Sequence, residues 1–293
     1  MGREEEIIKE RERKIQELKD IGINPYAYKF EKKNLVADCL KARLGTGVKT
    51  AGRIMTKREI GKIIFSDLMD FTGRVQLVFQ AGKTGKKDFE FFSRYIDIGD
   101  IIGVEGKIIK TKTGQQSILV ENTKLLTKSL LPLPDKWHGL QDKEERYRKR
   151  YLDLIMNPEI RKVFEVREKI IDTIRSLLKN KEFIEVETPL LQGVYGGASA
   201  TPFTTHLNAL DIDLYLAISP ELYLKRLITG NFDRVFTITK NFRNEGIDYQ
   251  HNPEFTMMEY YIAYHDYKFH IKFTEELFKL LILFTALFGL IIS

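Results

Sequence analysis

Two stretches of alternating residues in the C-terminal half carry side chains suited to binding a nucleotide and an amine. The first reads VFTITKNFRNEG from residue 235, and the second reads EFTMMEYY from residue 254. Alternation with a period of two predicts strands, and the turn-forming residues between them predict an antiparallel hairpin. A guanidinium group suits a phosphate, an aromatic ring suits a base, and a carboxylate suits an ammonium group. One face of the hairpin is predicted to carry all three kinds of group: Arg243, Glu245, Phe255, Glu259 and Tyr261.

The composition is that of an ordinary globular protein with room for two domains. The 293 residues are 43% hydrophobic and 30% charged, with a formal net charge of +6. This charge fits either a merely basic protein or one that binds a polyanion. Cys39 is the only cysteine, which excludes an internal disulfide and fits a reducing compartment. The highly charged first residues do not resemble a signal peptide, so we expect a cytoplasmic location and no association with a membrane.

The first half of the sequence predicts a surface helix followed by a small β-barrel. Residues 3 to about 20 combine a narrow apolar stripe with many charges, which is typical of a helix lying on a domain. Contact of this helix with RNA is the alternative. Five glycine-separated candidate strands then favour a five-stranded barrel. These strands are residues 52–56, 62–69, 74–80, 101–110 and 117–126.

Phe65 is the barrel residue that points most directly to a ligand. Its parity places it on one face with Asp67, whereas Ile64 and Leu68 share the other face. Oligonucleotide-binding barrels stack bases on an exposed aromatic ring of this kind, although parity alone leaves a core phenylalanine possible. Four basic residues would add charge nearby for a phosphate backbone: Lys57, Arg58, Lys62 and Arg74.

The second half predicts helices and strands without the regular rhythm of a parallel sheet, which favours an antiparallel α+β sheet. A long amphipathic helix is predicted to start at the Asn-Pro pair of residues 157–158. The Gly-Gly pair that includes Gly197 would let the backbone approach a ligand closely, although most such pairs are only turns. Ser219 is predicted to cap a second helix, with Glu221 in its first turn.

Six segments together resemble the class II lysyl-tRNA synthetases, over about residues 1 to 275. Motif 2 of that family is similar to FRNEG and HNPEFTMMEYY, and the end of its motif 1 is similar to VETPLL. Its amino-acid-binding loop and helix resemble YGGASATPFTTHLNALDIDLYLAISPELYLKRLI. Its linker resembles LPLPDKWHGLQDKEERYRKRYLDL, and its anticodon-binding OB fold resembles TAGRIMTKREIGKIIFSDLMDFTGRVQLVF.

The resemblance implies an all-β OB-fold barrel followed by an α+β class II catalytic domain, an antiparallel sheet flanked by helices that is incomplete at its C-terminus. The implied domains are an N-terminal helical extension (1–48), an anticodon-binding OB domain (49–128), a linker (129–155) and the N-terminal part of the catalytic domain (156–293).

The resemblance implies a site for ATP on the predicted hairpin. Arg243 would clamp the α-phosphate and stabilise charge in the transition state, and Phe255 would stack on adenine. Glu245 and Asn252 would contact the adenine end, and His251 would contact the triphosphate.

The same resemblance implies a lysine site and an anticodon site. Glu259 and Tyr261 would meet the ε-amino group of lysine, and Gly197 and Glu221 would hold its α-amino group. In the barrel, three residues would contact the anticodon: Phe65 and Gln76 as readers, with Arg58 nearby. The family's acidic base reader falls near Asn122, where this sequence has Glu121 one place away.

The implied reaction joins L-lysine to tRNA(Lys) through lysyl-adenylate, with ATP as substrate, Mg²⁺ on the phosphates and a homodimer formed through motif 1. The family's motif 3 and acidic Mg²⁺ ligands have no counterpart after Tyr261, so we expect this chain alone to be inactive or weakly active. The apolar residues 280–293 suggest a truncated or frameshifted product, a short buried helix or, least well, a membrane anchor.

Two other readings stay open. Aspartyl- and asparaginyl-tRNA synthetases share this domain plan but lack the paired Glu259 and Tyr261 of the second strand. A non-catalytic, tRNA-binding or regulatory fragment would need only the barrel and the basic helices.

Overall fold

The computed structural model describes residues 2–134, 140, 142–248 and 250–287, with burial described as far as residue 283. Part of the predicted linker and the end of the apolar C-terminal segment lie outside these residues. The chain divides into two compact units, residues 1–157 and residues 158–293, and each is described by itself.

The first unit is built on a closed five-stranded barrel with the strand order β1-β2-β3-β5-β4. Its strands are antiparallel except where β3 and β5 close the barrel in parallel. The strands are β1 (Gly47–Ile60), β2 (Ile63–Asp70), β3 (Gly73–Gln80), β4 (Ile101–Lys110) and β5 (Gln116–Thr127). The helices are α1 (Arg3–Asp20), α2 (Val36–Lys41), α3 (Lys86–Tyr95), α4 (Lys143–Arg148) and α5 (Arg150–Met156).

The barrel confirms the five predicted strands, the first of which extends further in both directions than its sequence pattern suggested. Ile64, Leu68 and Leu77 are fully buried, as their alternation predicts. The sequence pattern did not reveal α3, whose Phe92 stacks on Phe79 with ring centroids 3.9 Å apart. This stacking of two buried rings joins α3 to the barrel core.

Helix α1 is held to the barrel by a buried arginine as well as by its apolar stripe. The guanidinium group of Arg11 donates to the carbonyl oxygens of Ile98, Ser129 and Leu131 at 2.8 to 2.9 Å. Leu18 on the same helix is fully buried in the barrel core. The helix therefore lies on the domain behind it, as the first of the two sequence interpretations expected.

Lys57 has a structural role, which corrects its assignment to a phosphate-binding surface. Its ammonium group donates to the carbonyl oxygens of Phe92, Ser93 and Ile96 at 2.7 to 3.0 Å. These carbonyls lie at the end of α3, where backbone donors run short, and among the described residues only Phe92 O also accepts from a backbone N–H, that of Ile96 at 3.3 Å. Burial lowers the pKa of Lys57 to about 8, unlike that of a solvated surface lysine.

The described residues of the second unit form two small three-stranded sheets and three helices longer than one turn. One sheet has the order β11-β10-β6 and the other has the order β7-β9-β8. The strands are β6 (Ile184–Glu185), β7 (Leu191–Gln192), β8 (Thr204–Leu207), β9 (Ile212–Leu216), β10 (Arg234–Phe242) and β11 (Glu254–Ile262). The helices are α6 (Arg161–Asn180), α7 (Glu221–Thr229) and α8 (Tyr267–Leu287).

The long helix starts later than the Asn-Pro pair predicts. A short 3₁₀ turn, Pro158–Ile160, precedes α6. The side chain of Asn157 instead donates to Asp153 Oδ1 at 2.8 Å, so it serves the end of α5 rather than the start of α6. The sheet β11-β10-β6 also differs from the antiparallel sheet that the sequence predicts. Strand β6 pairs with β10 in parallel, whereas β10 and β11 are antiparallel.

Helix α8 includes the first part of the apolar C-terminal segment. Phe273 and Leu277 are buried with residues of α6 and the hairpin, whereas Ile282 and Leu283 are exposed. Within the described part of the chain, no helix combines the length and the apolar character that crossing a membrane requires.

Replacing Lys57 by methionine tests its role at the end of α3. The substitution keeps the aliphatic stem but removes the donor that the carbonyl oxygens of Phe92, Ser93 and Ile96 share. We expect the free energy of unfolding to fall by about 1–3 kcal/mol in urea denaturation. Lys62→Met, at an exposed position of the same barrel, is the control and should change it by less than about 0.5 kcal/mol. Equal effects of the two substitutions would contradict the role.

Candidate active site

The β10–β11 hairpin confirms the two faces that the alternation predicts. The register pairs Thr237 with Glu259 and Asn241 with Phe255. The pairing continues past the end of β10, since the backbone N–H of Arg243 donates to Pro253 O at 2.9 Å. Directly opposed residues of an antiparallel pair share a face, so the charged and aromatic residues lie together.

The other face of the hairpin holds this arrangement in place. Phe236 is fully buried, and Ile238, Met258 and Tyr260 pack against the same apolar cluster, which includes residues of α6 and α8. Because successive side chains point to opposite faces, a slip of one residue would bury the charged groups. Packing on one face therefore fixes the register of the candidate site on the other.

Arg243 and Phe255 form one end of the site. The guanidinium carbon of Arg243 lies 5.1 Å from the centroid of the Phe255 ring, a cation–π contact. The Nε atom of Arg243 is buried and has no hydrogen-bond partner among the described residues. This end therefore offers an aromatic surface and an oriented cation, which suit a base and a phosphate.

Glu259 forms the other end. Ser219 Oγ donates to its Oε1 at 2.8 Å, and the Tyr261 hydroxyl donates to its Oε2 at 3.4 Å. Burial raises the pKa of Glu259, the nearby Glu221 adds to that rise, and the hydrogen bond from Ser219 opposes it. Burial and the adjacent Glu259 likewise raise the pKa of Tyr261. The result is a half-buried carboxyl group held by two hydroxyls, with a second carboxylate close by.

Gly197 packs tightly against the start of α7. Its φ is +88°, and a Cβ atom there would lie 2.7 Å from Glu221 Cβ and 2.9 Å from Ser219 Oγ. Ser219 does not cap α7 as predicted, because Pro220 occupies the N-cap position. The Ser219 hydroxyl instead accepts from the backbone N–H of Glu221 at 3.1 Å while donating to Glu259. Ser219 therefore joins Glu221, Glu259 and the Gly197 loop, a role that its place before Pro220 did not reveal.

The remaining predicted ATP contacts lie on the loop between the strands. Glu245 Oε1 accepts from the backbone N–H of Thr201 at 3.3 Å. His251 and Asn252 are exposed, and His251 Nδ1 pairs with Asp248 Oδ2 at 2.7 Å. The structure thus places Glu245 next to the glycine-containing loop and leaves His251 and Asn252 at the surface.

The predicted anticodon residues share one face of the barrel. Phe65 lies opposite Arg58 on β1 and Val78 on β3, two residues from Gln76. The Phe65 side chain is half-buried on the face away from the core, which argues against a core phenylalanine. The Gln76 side chain is largely buried, and its Oε1 accepts from Ser117 Oγ at 3.0 Å.

One further residue, together with the distribution of metal-binding side chains, bears on the expected ligands. Glu121, near the family's acidic base reader, pairs with Lys107 at 3.2 Å. For Mg²⁺, the described residues contain no group of three or more His, Cys, Asp or Glu side chains arranged to hold a metal ion. The described residues by themselves therefore offer no metal site.

Two family models match the two parts of the chain. Residues 142–286 match the model described as class II tRNA synthetases (D, K and N), and residues 48–126 match the model described as an OB-fold nucleic acid binding domain. The barrel and the hairpin site occupy these two ranges. Together they define the architecture of a class II aminoacyl-tRNA synthetase.

Sequence identity to curated relatives shows the family within this class. The chain is 51% identical to the lysine–tRNA ligase of Pelotomaculum thermopropionicum over 282 residues, which are 94% of the chain and 56% of that protein. It is 50% identical to that of Thermosipho africanus over 292 residues, 95% of the chain and 58% of the relative. It is 53% identical to lysine–tRNA ligase 2 of Methanosarcina mazei over 262 residues, 87% of the chain and 51% of the relative. The chain belongs to the lysyl-tRNA synthetase family, and it spans about half the length of these relatives.

Gly197→Ala should disturb the contact between the glycine loop and the start of α7. The new methyl group would meet Glu221 and Ser219 in a backbone conformation that alanine rarely adopts. We expect a loss of about 1–3 kcal/mol in the free energy of unfolding of this unit. Gly193→Ala is the matched control, since a Cβ atom there has nothing within 4 Å. Equal thermal stability of the two variants would contradict this packing.

Proposed function

We propose that the chain carries the ATP and lysine half-site of a lysine–tRNA ligase together with the barrel that binds the anticodon of tRNA(Lys). The observation that carries this proposal is the half-buried Glu259, held by Ser219 and Tyr261 on the face that also presents Arg243 and Phe255. The reaction is the ATP-dependent formation of lysyl-adenylate and the transfer of lysine to tRNA. The activity of this 293-residue chain by itself stays a prediction of little or none.

The nucleotide end works by position and charge. Phe255 stacks on adenine, and Arg243 meets the α-phosphate with a planar fork of donors. The lysine carboxylate attacks the α-phosphorus, and pyrophosphate leaves. Negative charge that grows on the phosphoryl oxygens is stabilised by a cation already oriented against the Phe255 ring. Mg²⁺, when bound, would neutralise charge on the phosphates.

The amine end selects lysine by charge. The ammonium group of the side chain meets Glu259 and Tyr261, and Glu221 and Gly197 receive the α-amino group. A neutral analogue would leave the carboxylate of Glu259 half-buried without its partner, which is costly. This pairing of Glu259 and Tyr261 favours lysine over aspartate or asparagine as substrate.

The barrel binds RNA through the face that holds Phe65. Phe65 stacks on an anticodon base, Gln76 contacts a base edge and Arg58 supplies charge. A tRNA-binding fragment without catalysis would use the same face, so the barrel alone does not separate the two functions. The hairpin site favours the ligase.

We propose the domain division 1–48, 49–128, 129–155 and 156–293, a cytoplasmic location and a homodimer formed through motif 1. Support for the dimer comes from exposed apolar side chains just before and within VETPLL, the segment that resembles the end of motif 1: Ile184, Leu190 and Leu191.

Glu259→Gln tests the lysine site by calorimetric titration with L-lysine. We expect affinity to fall at least about tenfold, because a charge-assisted hydrogen bond is lost. The pKa of Glu259 is raised, so affinity of the unmodified chain should decline on acidification sooner than for an ordinary glutamate. The affinity for lysine is full at pH values above that pKa and is lost below it. This pH dependence should vanish in the Glu259→Gln variant.

Glu254→Gln, an exposed residue on the same strand, is the control and should bind lysine normally. An affinity for lysine that is unchanged by the Glu259→Gln substitution and independent of pH would refute the assignment of Glu259 to the lysine ammonium group.

Phe65→Ala tests the anticodon face with the anticodon stem-loop of tRNA(Lys). Loss of one stacking contact costs about 1–3 kcal/mol, so fluorescence anisotropy should report an affinity about 5- to 150-fold weaker. Phe71→Ala is the control, since Phe71 is an exposed phenylalanine at the turn between β2 and β3. An unchanged affinity of the Phe65 variant would remove it as a base-stacking residue.

A further inference from the structure

Asn241 lies on the active face of the hairpin, and the roles assigned so far do not use it. Its side chain is fully buried, yet neither its amide oxygen nor its amide nitrogen has a hydrogen-bond partner among the described residues. The register places it directly opposite Phe255. Burying an amide without hydrogen bonds is unfavourable, so this position calls for a hydrogen-bond partner beyond the described residues.

Arg243, two residues further along the chain, also has a buried polar group without a hydrogen-bond partner among the described residues, its Nε–H. The two side chains share one face, since the ladder continues from Asn241 to Arg243 through the bond to Pro253 O. Residues two apart on a strand are separated by about 7 Å between Cα atoms. One water molecule, with hydrogen bonds of about 2.8 Å on each side, spans the gap between such side chains.

We propose that Asn241 is a positioning residue for Arg243, acting through a buried water. The water accepts a hydrogen bond from Arg243 Nε–H and donates one to Asn241 Oδ1. This link fixes the guanidinium plane against the Phe255 ring, which lies 5.1 Å from the guanidinium carbon. A phosphate then meets a pre-oriented fork of donors, and less conformational freedom is lost on binding.

The inference rests on the proposed function, because it gives Arg243 the phosphate and Phe255 the adenine. This role of Asn241 predicts different effects on the binding of phosphate and of adenine, whereas a side chain that only fills space predicts no such difference. Loss of the link should weaken the binding of the phosphates, which Arg243 contacts, and spare the binding of the adenine ring, which Phe255 contacts. ATP and adenosine therefore serve as paired probes.

The experiment measures the affinities of the 293-residue chain for ATP and for adenosine by calorimetric titration. Asn241→Leu keeps the size of the side chain but removes its hydrogen bonds. We expect its ATP affinity to fall roughly tenfold, the size of one lost hydrogen bond to a charged group, and its adenosine affinity to stay unchanged. Asn241→Thr retains a hydroxyl for the water and should recover part of the ATP affinity. Thr239→Val is the control, because it removes a hydroxyl on the same face, two residues beyond Asn241 and four from Arg243. Its affinities for ATP and adenosine should equal those of the unmodified chain.

The outcomes separate the two levels of the proposal. If the unmodified chain binds neither ligand, the proposed function fails and this inference fails with it. If the unmodified chain binds both and Asn241→Leu binds ATP equally well, only the role of Asn241 is overturned. A parallel loss of ATP and adenosine affinity in Asn241→Leu also overturns it, because it indicates a general disturbance of the hairpin.

Discussion

The register of the β10–β11 hairpin is the constraint on which the candidate site depends. Arg243, Phe255 and Glu259 have useful chemistry together only because the pairing of Thr237 with Glu259 and of Asn241 with Phe255 brings them to one face. That register is held from behind, where the buried Phe236 and its neighbours pack with α6 and α8. A shift of one residue would exchange the two faces and remove the site while costing the core its packing. Stability and function thus depend on the same pairing.

At the half-buried carboxyl group of Glu259, the unfavourable burial of a charge is linked to selectivity for a ligand with an ammonium group. Burial disfavours its charged form, and the Ser219 and Tyr261 hydroxyls offset only part of that cost. An incoming ammonium group supplies the missing charge, so a ligand without that charge leaves the cost uncompensated. At the nucleotide end of the face, the Asn241 amide and Arg243 Nε are likewise buried without a hydrogen-bond partner among the described residues.

The sequence predicted the parts of this protein that depend on local pattern. Alternation gave the five barrel strands and the hairpin faces, because the side-chain period of a strand is two. It left Phe65 open between an outward position and the core. It did not give the roles of Lys57 and Ser219. Lys57 turns to the end of α3, and Ser219 bridges to Glu259 forty residues away. Such contacts depend on tertiary packing, which a sequence pattern does not contain.

A titration of the chain with a non-hydrolysable analogue of lysyl-adenylate tests the central claim, that one hairpin face holds both the nucleotide and the amine. The comparison is with the norleucyl analogue, which has a similar side chain without the ammonium group. The account predicts that the lysyl compound binds more tightly than lysine or ATP alone. It also predicts that the lysyl compound binds at least about tenfold more tightly than the norleucyl compound, the scale of one charge-assisted contact. Equal affinities for the two analogues would contradict it.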